Sequence, residues 1–307
     1  MYRKLRCKED AEMNRANRDL KTRYENYREI IRDFTIMDDT FMRNVLKKKE
    51  CTEHVLQVIL NRKDLRVIDQ VIQMDYKNLQ GRSLIMDCVA SDQTGRRFDV
   101  EIQQENAGAS PRRARYHAGL LDMNTLEPGD EFEKIPESYV IFITREDALK
   151  YGCPIYHVER TVKEAGTEFG DGSHIIYVDS SRHDDTELGQ LMHDFTCKEA
   201  SKIKSKILAD RVRELKETQE GVEQMNQKLE ELYYDGVEQG IQEGEERTAR
   251  KISIELAKEG MSAEQIAKIV NADLEKVQWW IKEKRGIRVK KITSVCIRSK
   301  WMQTLFV

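Results

Sequence analysis

The chain has 307 residues, 39% of them hydrophobic and 35% charged, and a formal net charge of −3. That composition supports one mid-sized core with long solvated helices and excludes attraction to nucleic acid by bulk charge. Six cysteines with no C-x-x-C pair argue against a zinc or disulfide framework; with no leader-like start and no apolar run of bilayer length, the chain reads as a reduced cytoplasmic protein without a membrane partner.

Residues 1–32 read as a basic arm, helical or disordered, carrying Lys4, Arg6, Arg15, Arg18, Lys21 and Arg23. It is either a nucleic-acid-binding arm or a solvated helix of mixed charge. A helix opens near Asp38 with Asp39 or Thr40 as its cap, and 55–60 continues as an amphipathic helix. The apolar segment 67–72 fits either helix or strand. Residues 83–90 read as a strand, 92–95 as a turn, and 97–103 as a second strand with strict alternation. Ser110-Pro111 opens a helix that runs to about Met123, with proline at its first position. The continuous apolar run 139–144 predicts a central buried strand. Residues 155–158 and 174–178 add strands, separated by the turn Gly170-Asp171-Gly172. Helices, hairpin, helix and strands in that order predict an α/β domain with a mixed sheet over 33–182.

Residues 187–250 read as a charged helical connector. Gly236, Gly240 and Gly244 stack on one helical face, which suits either close helix approach and self-association or a flexible connector. In 251–285, Gly260 ends a helix, Ser262 and Gln265 make a capping-box-like start, and Ile266, Ile269 and Val270 share a face. That helix-turn-helix outline fits a DNA-binding unit or a small docking bundle. A basic tail fills 286–307.

The hairpin carries the chemistry. Phe98, Val100 and Ile102 point to one face of the second strand; Asp99, Glu101 and Gln103 point to the other. Gly95 suits the left-handed position of a three-residue loop, so Asp92 faces Arg96 and Asp87 lies across from Glu101, with Cβ atoms roughly 5 Å apart. Two carboxylates at that spacing are tolerable with a divalent cation between them or with one protonated. Gln103 on the same face can orient a water but brings no positive charge. Acids on the outer face of a strand are also commonly plain solvated positions.

The run Leu-Ile-Met-Asp87-Cys-Val-Ala with Phe-Asp-Val-Glu101-Ile-Gln103 resembles the PD-(D/E)XK nuclease superfamily. More narrowly it is similar to the Rpn recombination-promoting nucleases, also described as PD-(D/E)XK nuclease family transposases. The opening segment from Phe34 to Phe41, the Arg/Tyr cluster after the hairpin and the glycine repeat near 236–244 extend the resemblance over roughly 33–270. It implies a restriction-endonuclease-like mixed sheet core flanked by helices, with a helical C-terminal extension. It further implies a Mg²⁺-dependent DNA endonuclease acting in recombination or mobile-element activity. Asp87 and Glu101 would bind the metal, Gln103 would stand where the catalytic lysine stands, and Glu53 would be the helical acid. Arg112, Arg113 and Arg115, with Tyr116, lie at the start of the next helix and fit either contact with phosphate or surface salt-bridging to nearby acids. The competing reading is the same fold without activity, serving as a DNA- or protein-binding module, with self-association through the C-terminal helices.

Overall fold

A computed structural model describes residues 20, 22–76, 83–126 and 129–284. Most of the expected basic arm and the whole of the expected tail 286–307 lie outside these residues. The chain divides into two compact units, 1–226 and 227–307.

In the first unit, residues 22–33 form helix α1, with Tyr27 and Ile31 buried. Helix α2 (Asp39–Leu46) and α3 (Lys49–Ile59) follow. The cap residue of α2 is Asp38, one place earlier than expected. Its carboxylate is occupied by the Thr35 N–H and hydroxyl, at 2.7 and 2.9 Å. Strands β1 (Val67–Tyr76), β2 (Leu84–Asp92) and β3 (Arg97–Gln103) form an antiparallel meander. The undecided segment 67–72 is thus strand, and it extends to residue 76 because β2 offers it a partner along that length.

Helix α4 (Pro111–Met123) then crosses over to β4 (Ser138–Thr144), which pairs parallel with β3. Parallel neighbours require such a crossover. Strand β5 (Ile155–Val158) and a two-strand ladder of β6 (Thr161–Val162) and β7 (Thr167–Glu168) precede β8 (Ser173–Asp179). The main sheet has the order β1-β2-β3-β4-β8-β5 and is mixed, with β4–β8 parallel and β5–β8 antiparallel. Val140, Ile141, Phe142 and Ile143 of β4 are fully buried, as their apolar run predicts for a central strand.

Residues 187–217, expected within a charged connector, form α5 (Glu187–Thr196) and α6 (Lys206–Glu217), which pack on α2 and α3. Their apolar stripes, Leu191, Met192 and Phe195 on α5 and Leu208, Val212 and Leu215 on α6, are buried. Asp194 pins the α5–α6 connection by accepting the N–H groups of Lys204 and Ser205 at 2.7 and 2.8 Å. Buried Arg211 ties α6 to α2 by donating Nε and Nη2 to the Asn44 carbonyl at 3.2 and 2.7 Å.

A corner after α6 leads into the long helix α7 (Gln219–Lys258). A Cβ at Gly221 would lie 1.9 Å from the Glu214 carbonyl and 2.7 Å from Leu215 Cα, both backbone atoms. Gly221→Ala is therefore expected to destabilise the first unit by about 1–3 kcal/mol or more, read as a lowered urea midpoint at unchanged slope. A midpoint equal to wild type would show that the corner has room.

In the second unit, the end of α7 packs with α8 (Ala263–Val270) and α9 (Leu274–Lys284) around Ile266, Val277 and Trp280. The capping box at Ser262 and Gln265 forms with both of its hydrogen bonds. A Cβ at Gly240 or Gly244 would meet nothing within 4 Å among the described residues, so no close approach among them requires glycine there. Among the described residues no helix is long and apolar enough to cross a membrane.

Candidate active site

The turn at the tip of the β2–β3 hairpin sets the register of both strands. Gly95 has a φ of 87°, the left-handed region that favours glycine. The Asp92 N–H donates to the Arg96 carbonyl at 3.1 Å and the Gly95 N–H to the Asp92 carbonyl at 3.0 Å. The ladder then runs Ser91↔Arg97, Ala90↔Phe98, Val89↔Asp99 and Cys88↔Val100. One further step sets Asp87 opposite Glu101.

The ladder ends before that step. The Asp87 N–H donates to Glu101 Oε1 at 2.8 Å, and the Ile102 N–H donates to the Asp87 carboxylate. Each acid thus caps the backbone of the other strand where the strands part, and neither simply faces its opposite number across a closed pair. On the far side of β2, Gln73 is level with Asp87 and takes a φ of 59°, rare for a residue with a side chain.

The acid-bearing face is buried. Asp87, Asp99 and Glu101 are all 0% exposed. Helix α4 lies over this face because Ala114 and Ala118 permit close approach; they pack with Val140, Phe142 and Tyr177. The helix begins with the Ser110 hydroxyl accepting the Arg113 N–H at 3.3 Å, with Pro111 at its first position. That start places Arg113 and His117, one turn apart, toward β3.

Arg113 Nη2 lies 3.2 Å from Glu101 Oε2 and Nη1 lies 3.5 Å from Gln103 Oε1. Gln103 Nε2 donates to the same Glu101 Oε2 at 3.2 Å. Arg113 Nε donates to His117 Nε2 at 3.1 Å, and His117 Nδ1 lies 2.8 Å from Asp99 Oδ2. An arginine N–H can donate only to an unprotonated ring nitrogen, so the imidazole proton sits on Nδ1, facing Asp99. From α2, Arg43 Nη2 reaches Asp39 Oδ1 at 2.7 Å and Asp87 Oδ1 at 3.3 Å.

Four acids thus gather here with two arginines. Burial raises the Asp87 carboxyl to about 7, with Asp39 and Asp99 adding to the rise and Arg43 opposing it. Burial also holds Glu101 well above the usual carboxylate range, with Asp87 and Asp99 adding to it and Arg113 opposing. Asp39 is raised by burial against the pull of Arg43. The cluster therefore has a strong demand for added positive charge, from protons or from a cation.

Hard carboxylate oxygens suit Mg²⁺. Asp99 Oδ1 is buried and accepts no hydrogen bond among the described residues, consistent with acceptor capacity in excess. Ligand atoms of Asp99, Glu101 and His117 are close enough to share an ion. Both ring nitrogens of His117 are already committed, though, so the donors left for a cation are carboxylates. A second group, His193, Asp194 and Cys197, fits a metal poorly. Cys197 Sγ is almost equidistant from the two ring nitrogens of His193, at 3.7 and 3.6 Å, a position that neither ring lone pair points along.

The structure brings together Asp87, Glu101, Gln103 and Arg113. It does not bring Glu53 to them. Glu53 accepts the Val67 N–H at 3.0 Å, at the start of β1, where Val67 pairs with Asp92 at the hairpin's other end. That is about 16 Å of strand from Asp87. Arg112, Arg115 and Tyr116 lie on the exposed side of α4. Sequence reasoning left His117 open between a packed core histidine and a functional one, and did not assign Asp39, Arg43 or Asp99 to the site. Asp99 was legible as part of the acid face, and His117 by its one-turn spacing from Arg113.

Comparison with family models gives a match to PD-(D/E)XK nuclease family transposase, over residues 47–236. Comparison with curated proteins and with solved structures gives no match.

Proposed function

Since the chain belongs to the PD-(D/E)XK nuclease family transposases, we propose that it is a Mg²⁺-dependent endonuclease that hydrolyses DNA phosphodiester bonds and serves recombination or mobile-element activity. The observation that carries this reading is the buried acid pair at the parted ladder, Asp87 and Glu101, with Asp39 and Asp99 raising the charge around it. Asp87 and Glu101 would hold the cation by carboxylate oxygens. A bound divalent ion lowers the pKa of a water and offsets charge on the phosphoryl oxygens. Gln103, half-buried on the same face, offers an amide to orient that water.

The neutral Gln103 favours a second reading, a nuclease fold that binds DNA without cutting it. One assay separates the two. Supercoiled plasmid should be nicked with Mg²⁺, left intact with a chelator, and left intact by Asp87→Ala. Cleavage that is equal in all three conditions would overturn the nuclease site. Retained plasmid binding without cleavage at any Mg²⁺ concentration would favour the second reading.

A further inference from the structure

Resting on the nuclease reading, we propose that Arg113 supplies from helix α4 the positive charge that Gln103 leaves missing on strand β3, and that Asp99 and His117 hold it in place for that task.

Attack on a phosphodiester builds negative charge on the phosphoryl oxygens, and a fixed cationic donor beside them lowers the barrier. Gln103 has donors but no charge. Arg113 places its charge beside it, with Nη1 3.5 Å from Gln103 Oε1 and Nη2 3.2 Å from Glu101 Oε2. Its guanidinium has a fork geometry that matches two phosphate oxygens.

The side chain is fixed from behind. Asp99 Oδ2 accepts a hydrogen bond from His117 Nδ1 at 2.8 Å, His117 Nε2 accepts one from Arg113 Nε at 3.1 Å, and both His117 and Asp99 are fully buried. This chain sets the guanidinium plane and aims Nη1 and Nη2 at Gln103 and Glu101. An arginine needed only to neutralise Glu101 would not require its third nitrogen to be held by a buried histidine-carboxylate pair.

The surroundings favour contact with a ligand. The Arg113 side chain is 30% exposed while Glu101 is closed off, so the guanidinium lies between solvent and the acid. A Cβ at Gly108 would lie 2.2 Å from Gln103 Oε1 and 3.6 Å from Arg113 Nη1, so glycine there lets the loop before α4 pack against the Gln103 amide and hold it beside the guanidinium. Arg112 and Arg115 lie exposed on the same helix, and among the described residues no buried pair holds either of them. Arg113 is thus a catalytic residue by this assignment, and Asp99 and His117 are positioning residues.

The test is supercoiled plasmid cleavage at saturating Mg²⁺, comparing wild type, Arg113→Gln, Arg113→Lys and the double variant Arg113→Gln with Gln103→Lys, each checked for folding by its melting temperature. Arg113→Gln is expected to lose about 100- to 1,000-fold in kcat. Arg113→Lys should retain part of the rate. The double variant should regain at least about tenfold over Arg113→Gln, because the lysine returns the charge to the strand. A merely structural arginine would not be rescued from residue 103. Wild-type rates in Arg113→Gln, or no gain in the folded double variant, would overturn this assignment and leave the nuclease reading standing. A wild type that never cleaves would overturn both.

Discussion

Asp87→Asn should cut plasmid cleavage by about two orders of magnitude or more, yet melt no lower than wild type at pH 8 in the absence of divalent ions. The two effects have one origin. Asp87 is fully buried, and burial with nearby Asp39 and Asp99 disfavours its charge. At pH 8 the folded protein must carry that charge or hold a proton against the solution. Asparagine removes the charge but keeps an oxygen for the Ile102 N–H. Its amide group loses the attraction of Arg43 at 3.3 Å, which offsets part of the gain. Cleavage within tenfold of wild type would take Asp87 out of the chemistry. A large fall in melting temperature would show that its charge stabilises the fold.

The second large effect is linkage between pH, metal and stability. Asp87, raised to about 7, and Glu101, raised well above its usual range, hold protons in the folded chain that an unfolded chain has already released. The folded state then binds more protons, so stability falls as pH rises from the ordinary carboxylate range through about 7. The contribution is complete below the unfolded values, near 4, and is lost through the folded ones. A divalent cation takes the place of those protons. Below pH about 7 its affinity should weaken by about tenfold per pH unit for each proton displaced. Mg²⁺ should therefore raise the melting temperature more at pH 8 than at pH 6, while the chelated protein melts higher at pH 5 than at pH 8. Equal Mg²⁺ shifts at pH 6 and pH 8 would mean that these carboxyls do not receive the ion.

The hairpin was legible because its information is local. One glycine at the turn sets the register, and the register carries to Asp87 and Glu101 without help from the rest of the chain. The start of α4 was legible for the same reason, since Ser110 and Pro111 specify a cap and a first turn. The run of four buried apolar residues in β4 was equally direct. What covers a face is not local. Alternation marks Asp99, Glu101 and Gln103 as one side of a strand, which for an antiparallel hairpin usually means water. The parallel pairing with β4 brings a crossover helix over that side, and its alanines let it close down on the acids. Arg43 reaches Asp87 from a helix earlier in the chain, a contact that no spacing rule predicts. Glu53 shows the converse. It lies on a helix before the hairpin, but its carboxylate serves the first N–H of β1.

The place where β2 and β3 part also bears on how such a protein would lose its activity in evolution. The amides of Asp87 and Ile102 find their acceptors in the two acid side chains rather than in the ladder. An alanine or valine at either position would strand a buried N–H, at a cost of about 1–3 kcal/mol. Asparagine or glutamine would keep the acceptor and discard only the charge. A descendant of this chain that had given up cutting but kept its shape would therefore be recognised by amides at 87 and 101, a fossil of the site written in side chains of the same length.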